Sequence, residues 1–321
     1  DYYRDCYNDM LKEKALQTNF ITQSLYLTIS ISGKDYESAK TFLNRSTNEI
    51  GTKLKSIGSA SEDVTTKESY GTKRKYALGK GLDSAMNYPL KVNVTDYLLG
   101  NQSAKDMKTF LISQQCNYPI PLYYALMNLL SSHDIPRIRT TLATGMNENL
   151  PSREQQAEYV ITSKMDQKGK ALTRLAMAVQ FFVPGMPCIY YGDEYGMHGL
   201  MDPFNRGAFF ENDKETYQEV LRLTSLRNRE KVLQTGYALY MAPTENVLAI
   251  LRFISEKKDV FGEASENKAI LLLVNPTMKK EEINLDLNKV KEGVNENALQ
   301  ALLKNLSNAV IKANVAPIDY K

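Results

Sequence analysis

The chain has 321 residues, 43% of them hydrophobic, which is enough to bury a sizeable core in one large or two moderate domains. Forty basic and thirty-seven acidic residues leave a formal net charge of +3, too even a balance to favour nucleic acid as a partner. No apolar run approaches the ~20 residues that a membrane span needs, and the first residues do not resemble a signal peptide, so we expect no membrane association.

The chain has too few cysteines and histidines to favour a metal site or a disulfide framework. Its three cysteines, Cys6, Cys116 and Cys188, form no CxxC pair, and His133 and His198 are its only histidines. Cysteine use of this kind fits reducing surroundings, so we predict a cytoplasmic protein, with an extracellular location left open. We predict no cofactor and no metal, and leave a calcium requirement open.

Strand and helix patterns alternate along the first 230 residues. Ser103 with Asp106 and Ser152 with Gln155 are capping boxes, each of which predicts a helix start. The alternation predicts a parallel sheet covered by helices. Its five expected strands lie near Leu27, Lys55, Asp83, Leu126 and Ile189.

The stretch Ala125–Arg137 organises the chain. Its apolar run from Ala125 to Leu130 is typical of a strand buried on both faces, and the run ends in Ser131-Ser132-His133-Asp134. Polar residues at the carboxyl end of such a strand lie where α/β folds do their chemistry. The alternative is that His133 and Asp134 only cap a turn before Pro136.

The next strand ends in a similar way. Pro184-Gly185-Met186-Pro187 leads into Cys188-Ile189-Tyr190-Tyr191, then Gly192-Asp193-Glu194, and Asp202-Pro203-Phe204-Asn205-Arg206 follows. A last helix is predicted over about residues 214–228. The residues expected on its inner face are Tyr217, Val220, Leu221 and Thr224.

Beyond Arg229 the pattern changes to strands separated by polar turns. Residues 247–254, 268–274 and 281–287 are strand-like, which predicts a closing all-β domain of about 90 residues. We therefore divide the chain into residues 1–230 and residues 231–321.

Three motifs in order resemble the α-amylase family of glycoside hydrolases, most closely its neopullulanase and cyclomaltodextrinase branch. They are Leu82-Asp83-Ser84-Ala85-Met86-Asn87-Tyr88-Pro89, the Ala125–Arg137 stretch and the Pro184–Arg206 segment. The resemblance implies a (β/α)8 barrel, here a partial one with strands four to eight, followed by an antiparallel β-sandwich. A partial barrel leaves exposed parallel edges, so a homo-oligomer or a partner chain is expected to cover them. It also implies α-glucan oligosaccharides such as maltodextrin, cyclodextrin or pullulan as ligands.

The resemblance assigns roles to individual residues. Asp134 matches the family's transition-state-stabilising carboxylate, and His133 the histidine that bonds sugar hydroxyls. Asp202 and Arg206 match the pair that anchors a sugar unit. Asn87 and Tyr88 match a segment lining the cleft, and Asp193-Glu194 is a structural run in the family.

The same alignment indicates that two essential carboxylates are lost. Ser59 lies at the acid/base position and, by spacing alone, Ser30 lies at the nucleophile position. A serine hydroxyl cannot replace either group of a two-carboxylate mechanism, and rescue by nearby Glu62 is disfavoured. The sequence therefore leaves three readings open: an α-glucan hydrolase, an inactive glucan-binding relative, or a structural partner subunit. Because the chain has no tryptophan, stacking on sugar rings would fall to its twenty tyrosines.

Overall fold

The computed structural model describes residues 83–146, 150–291, 293 and 295–320. The expected strands near Leu27 and Lys55, and the positions Ser30 and Ser59, lie outside these residues. The chain divides into two compact units, one of residues 1–87 and 117–126 and the other of residues 88–116 and 127–321. The helices are α1 (Tyr88–Leu99), α2 (Ala104–Asn117), α3 (Ile120–Ala125), α4 (Ile138–Thr144), α5 (Arg153–Ala157), α6 (Ser163–Phe182), α7 (Lys214–Arg229), α8 (Lys231–Thr235) and α9 (Glu296–Asn305). The strands are β1 (Met127–Leu129), β2 (Met186–Cys188), β3 (Tyr237–Met241), β4 (Leu248–Ile254), β5 (Lys268–Val274), β6 (Glu281–Asp286) and β7 (Val310–Val315).

In the first unit, the described residues pack around α3. The strand expected near Asp83 is reduced to a single bridge residue, Met86. The buried side chains that pack together here are Ala85, Tyr118, Leu122, Tyr123 and Leu126.

The second unit contains the strands expected near Leu126 and Ile189 as a parallel pair, β1 and β2, and β2 ends at Cys188, one residue before Ile189. Leu129 is opposite Cys188 in the register, so both strands end at the same edge. The expected run from Ala125 was too long, because Ala125 is the last residue of α3 and the strand begins at Met127. The helix α6 packs beside this pair, and its Gln180 amide donates to the backbone oxygens of Asn128 and Cys188 at 2.8 and 2.9 Å.

Both capping boxes form as predicted. Ser103 Oγ accepts from the Asp106 amide at 3.1 Å while the Asp106 carboxylate accepts from the Ser103 amide at 3.0 Å. Ser152 and Gln155 make the reciprocal pair at the start of α5. These bonds satisfy amide groups that the first helical turn leaves without partners.

The helix α7 has the predicted extent, but its buried face is rotated from the predicted one. Leu221 was expected inside and is 44% exposed, whereas Thr216, Val220 and Arg227 are buried. The cause is the buried Arg227 guanidinium, which donates to the backbone oxygens of Phe181 and Gly185. The spacing of apolar residues does not predict a buried helix face that includes an arginine.

The C-terminal strands form two antiparallel sheets, β3-β4-β5 and β6-β7, as predicted in kind. The strand β4 is buried on both faces because alternate residues enter two cores: Leu248 and Ile250 pack with the helices, whereas Ala249 and Leu251 pack with β6, β7 and α9. The stretch expected to be all-β also contains α9, whose Leu299 and Leu302 fill the second core.

Among the described residues, no helix combines the length and the apolar character that crossing a lipid bilayer would require.

Candidate functional site

The candidate site lies in the second unit, at the shared carboxyl edge of β1 and β2. Ser131-Ser132-His133-Asp134 follow β1, and Ile189-Tyr190-Tyr191 follow β2. Because the two strands are parallel neighbours in register, these two segments leave the sheet side by side.

His133 and Asp134 face solvent together. His133 Nε2 lies 3.2 Å from Asp134 Oδ2, and their side chains are 53% and 50% exposed. The Asp134 amide donates to Ser132 Oγ at 3.1 Å, which fixes the turn that presents the carboxylate. Besides its contact with His133 in the same turn, the Asp134 carboxylate lies near Arg206, which belongs to a different segment of the chain.

Asp202 and Arg206 join them. Arg206 Nε lies 2.7 Å from Asp202 Oδ1, and Arg206 NH2 lies 3.9 Å from Asp134 Oδ1. One guanidinium therefore links the two carboxylates, and it is 46% exposed. The arrangement offers a planar fork of donors beside two sets of acceptors, which suits vicinal hydroxyl groups.

Asn205 is a residue of this site that the sequence did not reveal. It is fully buried, and its Nδ2 donates to the carbonyl oxygens of Ser132 and Ile135 at 3.2 and 2.9 Å. A third contact, at 3.0 Å, reaches the carbonyl of His133. Asn205 thus ties the Asp202–Arg206 turn to the loop that carries Asp134.

The structure places the predicted cleft residues Asn87 and Tyr88 in different units. The Tyr88 hydroxyl lies 3.1 Å from Ser132 Oγ, at the base of the His133–Asp134 turn. Asn87 is buried in the first unit, 2% exposed.

Arg137 supports the floor of the site and was also missed, although it ends the motif that organises the chain. It is fully buried; its NH1 donates to the carbonyl of Tyr191 at 2.6 Å and lies 3.3 Å from Asp193 Oδ1. Burial raises the pKa of Asp193 to about 7, against the opposing effects of Ser131 and Arg137. These contacts agree with a structural role for Asp193.

A network of charged side chains holds the segment after β2. Arg139 donates to Asp166 at 2.6 Å and to Asp213 at 2.8 Å, and Lys170 lies 2.9 Å from Asp213. Partial burial opposes ionisation of Asp213, but the hydrogen bonds from Arg139 and Lys170 hold its pKa far below the ordinary value. Asp213 also caps α7, so one carboxylate fixes both the network and the helix.

His198, the second histidine, belongs to this network. Its Nε2 lies 2.7 Å from Asp166 Oδ1, and its Nδ1 lies 3.1 Å from Thr140 Oγ1. Burial lowers the pKa of His198, although Asp166 opposes that shift. These two bonds hold both ring nitrogens of His198 within the network.

Within the described ranges, no three or more His, Cys, Asp or Glu side chains are arranged to hold a metal ion. A cleft of about 470 Å³, bounded by Asn101, Lys168 and Glu245 among others, includes none of the side chains at the strand ends. The described side chains at the strand ends offer hydrogen-bonding and charged groups.

Comparison with known proteins points in one direction. The family described as alpha amylase, catalytic domain, matches residues 30–235. An amylopullulanase of Thermoanaerobacterium thermosulfurigenes is 32% identical over 244 residues, which cover 71% of this chain and 12% of that protein. A maltogenic alpha-amylase of Bacillus acidopullulyticus is 28% identical over 254 residues, 76% of this chain and 37% of that protein. The chain thus spans a minor part of the length of these relatives.

Solved structures share the fold. The ligand-free cyclic alpha-maltosyl-(1→6)-maltose hydrolase from Arthrobacter globiformis has a TM-score of 0.53 at 17% identity, over 77% of this chain and 47% of that one. A cyclomaltodextrinase has a TM-score of 0.54 at 19% identity, over 86% of this chain and 48% of that one. At such identities the likeness concerns the fold, which is a (β/α)8 barrel, present here in part, with a C-terminal β domain.

Proposed function

Because this chain belongs to the α-amylase family of glycoside hydrolases, we propose that its strand-end site binds α-glucan oligosaccharides and does not cleave them. The observation that supports α-glucan binding is the cluster of Asp134, Asp202 and Arg206, in which one exposed guanidinium lies near two carboxylates. With His133 beside Asp134, the site combines hydrogen-bond donors and acceptors, both of which a sugar hydroxyl can use.

The non-cleaving half rests on the sequence. A retaining mechanism needs two carboxyl groups about 5–5.5 Å apart, one to attack the anomeric carbon and one to protonate the leaving oxygen. By the resemblance to the family, Ser59 is expected at the acid/base position and, by spacing alone, Ser30 at the nucleophile position. Neither hydroxyl can do that work near neutral pH. Asp134 would then remain as a sugar-binding carboxylate without a reaction to assist.

A second candidate function is α-glucan hydrolysis itself. It is favoured by the retained Asp134 and by the names of the relatives, which include amylopullulanase and maltogenic alpha-amylase. It requires that other carboxylates, supplied by this chain or by a partner, replace the two missing ones.

The remaining parts of the proposal concern the surroundings of the site. We keep the division into residues 1–230 and 231–321 as proposed domains, and a homo-oligomer or partner chain as the proposed cover for exposed barrel edges. A cytoplasmic location is supported by the cysteines, since Cys116 and Cys188 are free thiols.

Calorimetric titration with maltoheptaose and β-cyclodextrin tests the binding. Arg206→Lys keeps the charge but loses the planar fork, so we expect about fivefold to tenfold weaker binding. Arg174→Lys is the matched control, because Arg174 pairs with Glu219 on the surface of α6, at 2.6 Å and with 51% exposure. Equal affinity of the two variants, or no heat of binding in the unmodified chain, would contradict the proposed site.

A further inference from the structure

Two tyrosines at the end of β2 lie beside the proposed glucan site. Tyr190 and Tyr191 make an edge-to-face pair with ring centroids 4.7 Å apart, and Tyr191 is 39% exposed. In the register of the parallel pair, Tyr191 lies three residues beyond Cys188, as Ser132 lies three residues beyond Leu129. Tyr191 therefore leaves the sheet at the same level as the turn that carries His133 and Asp134.

The Tyr191 ring is held from behind. The Arg137 guanidinium carbon lies 4.7 Å from the ring centroid, and Arg137 NH1 also binds the Tyr191 carbonyl. Because Arg137 is fully buried, the face of the ring that it covers is the inner one, and we call the opposite face the outer face.

The ring is also held at its tip. The Tyr191 hydroxyl donates to the Gly207 carbonyl at 2.7 Å, and Gly207 directly follows Arg206. Burial and a hydrogen bond with Tyr191 raise the pKa of the Tyr190 hydroxyl, whereas the nearby charges of Arg137 and Arg206 oppose the rise. The tyrosine pair and the Asp202–Arg206 turn are thus neighbours.

We propose that the outer face of Tyr191 is a stacking platform for a glucose ring of an α-glucan, next to the sugar unit that Asp202 and Arg206 bind. The inference rests on the proposed function and adds a residue to its site. A pyranose ring has an apolar C–H face, and a flat aromatic ring that is already immobilised can cover it with little loss of side-chain entropy. In a chain without tryptophan, this exposed and anchored tyrosine meets that need.

The absence of tryptophan makes a direct test possible. Tyr191→Trp introduces a single tryptophan whose emission reports on this position alone. We expect its emission to change saturably on titration with maltoheptaose. The midpoint of that change should equal the midpoint of a calorimetric titration of the same variant. Phe261→Trp is the matched control, since Phe261 is 45% exposed on the turn after β4 and should give no saturable change.

Two further substitutions separate stacking from simple burial. Tyr191→Leu keeps apolar bulk but removes the flat ring, and we expect about fivefold to tenfold weaker binding. Tyr191→Phe keeps the ring and loses the bonds of its hydroxyl to Gly207 and Tyr190, so binding should change by less than about twofold.

The outcomes distinguish the two proposals. Suppose that the unmodified chain binds maltoheptaose, that the emission of Tyr191→Trp does not change, and that Tyr191→Leu binds as tightly as the unmodified chain. Then the proposed stacking on Tyr191 is wrong, and the proposed glucan site stands. If the unmodified chain shows no binding in calorimetry, the proposed function fails, and the platform fails with it.

Discussion

At the scale of single residues, the site depends on buried polar side chains that carry no motif signal of their own. His133, Asp134, Asp202 and Arg206 were predicted, because they match residues that contact sugars in the resembled family. Asn205 and Arg137 were not, because their partners are backbone carbonyls of segments distant in sequence. Spacing along a chain does not reveal such contacts.

Asn205 gives the residue-scale prediction. Asn205→Ala leaves carbonyl oxygens of the Ser132–Ile135 turn without their buried donor, so we expect about 2–4 kcal/mol lower stability in urea unfolding. Maltoheptaose binding should weaken as well, since the turn carries Asp134. The control is Asn275→Ala, which removes a comparable buried amide donating to Lys279 and Ala316 in the C-terminal part.

Asn275→Ala should lower stability and leave affinity for maltoheptaose unchanged. An Asn205→Ala variant with full stability, or with undiminished affinity, would show that Asn205 does not position the turn.

At the scale of secondary structure, apolar periodicity predicted the helix α7 and the strands β4, β5 and β6, whereas α1, β3 and β7 were not predicted. The limits of α7 and β4 came out within about two residues of the prediction. The errors occurred where polar groups decide, as in the rotated face of α7, and where a short amphipathic helix, α9, follows a strand. The spacing of apolar residues does not predict which polar side chains are buried by their hydrogen bonds.

Gly196 tests how tightly the segment after β2 packs on the Arg139 network. Its φ is +66°, and a Cβ there would overlap the Arg139 guanidinium. Gly145 has a similar φ of +76° with nothing within 4 Å of the added Cβ. Gly145→Ala should cost about 1–2 kcal/mol from backbone strain alone, and Gly196→Ala about 1–3 kcal/mol more from the clash.

Thermal or urea unfolding of the two alanine variants measures that difference. Equal losses of stability at Gly145 and Gly196 would mean that the arginine moves aside freely, and that the network does not fix this segment.

The same network predicts a pH dependence. The folded-state pKa of Asp213 is lowered, so the folded chain binds fewer protons than the unfolded chain below the ordinary carboxyl pKa of about 4. Its stabilising contribution is complete above that pH and is lost as the pH falls further. Between pH 5 and pH 3 the unmodified chain should therefore lose more thermal stability than Asp213→Asn. Parallel losses in the two proteins would contradict this assignment.

At the scale of the whole molecule, the fold and the family were predicted from three short motifs, and the comparisons confirm both. Motifs succeed here because strand ends collect the polar residues of an α/β barrel. The order of the strands in the C-terminal sheets was harder to predict, since antiparallel strands have no comparable polar motif at their ends. The central claim is the proposal that Ser30 and Ser59 occupy the positions of the family's two essential carboxylates, so that the site binds α-glucans without cleaving them.

Prolonged incubation of the full chain with β-cyclodextrin and maltoheptaose, followed by chromatographic analysis of the sugars, tests that claim most directly. We predict that both sugars are recovered intact, at a level that matches Asp134→Asn, under conditions where calorimetry detects binding. Release of shorter sugars that Asp134→Asn abolishes would contradict the claim, because it would mean that carboxylates able to break the bond are present.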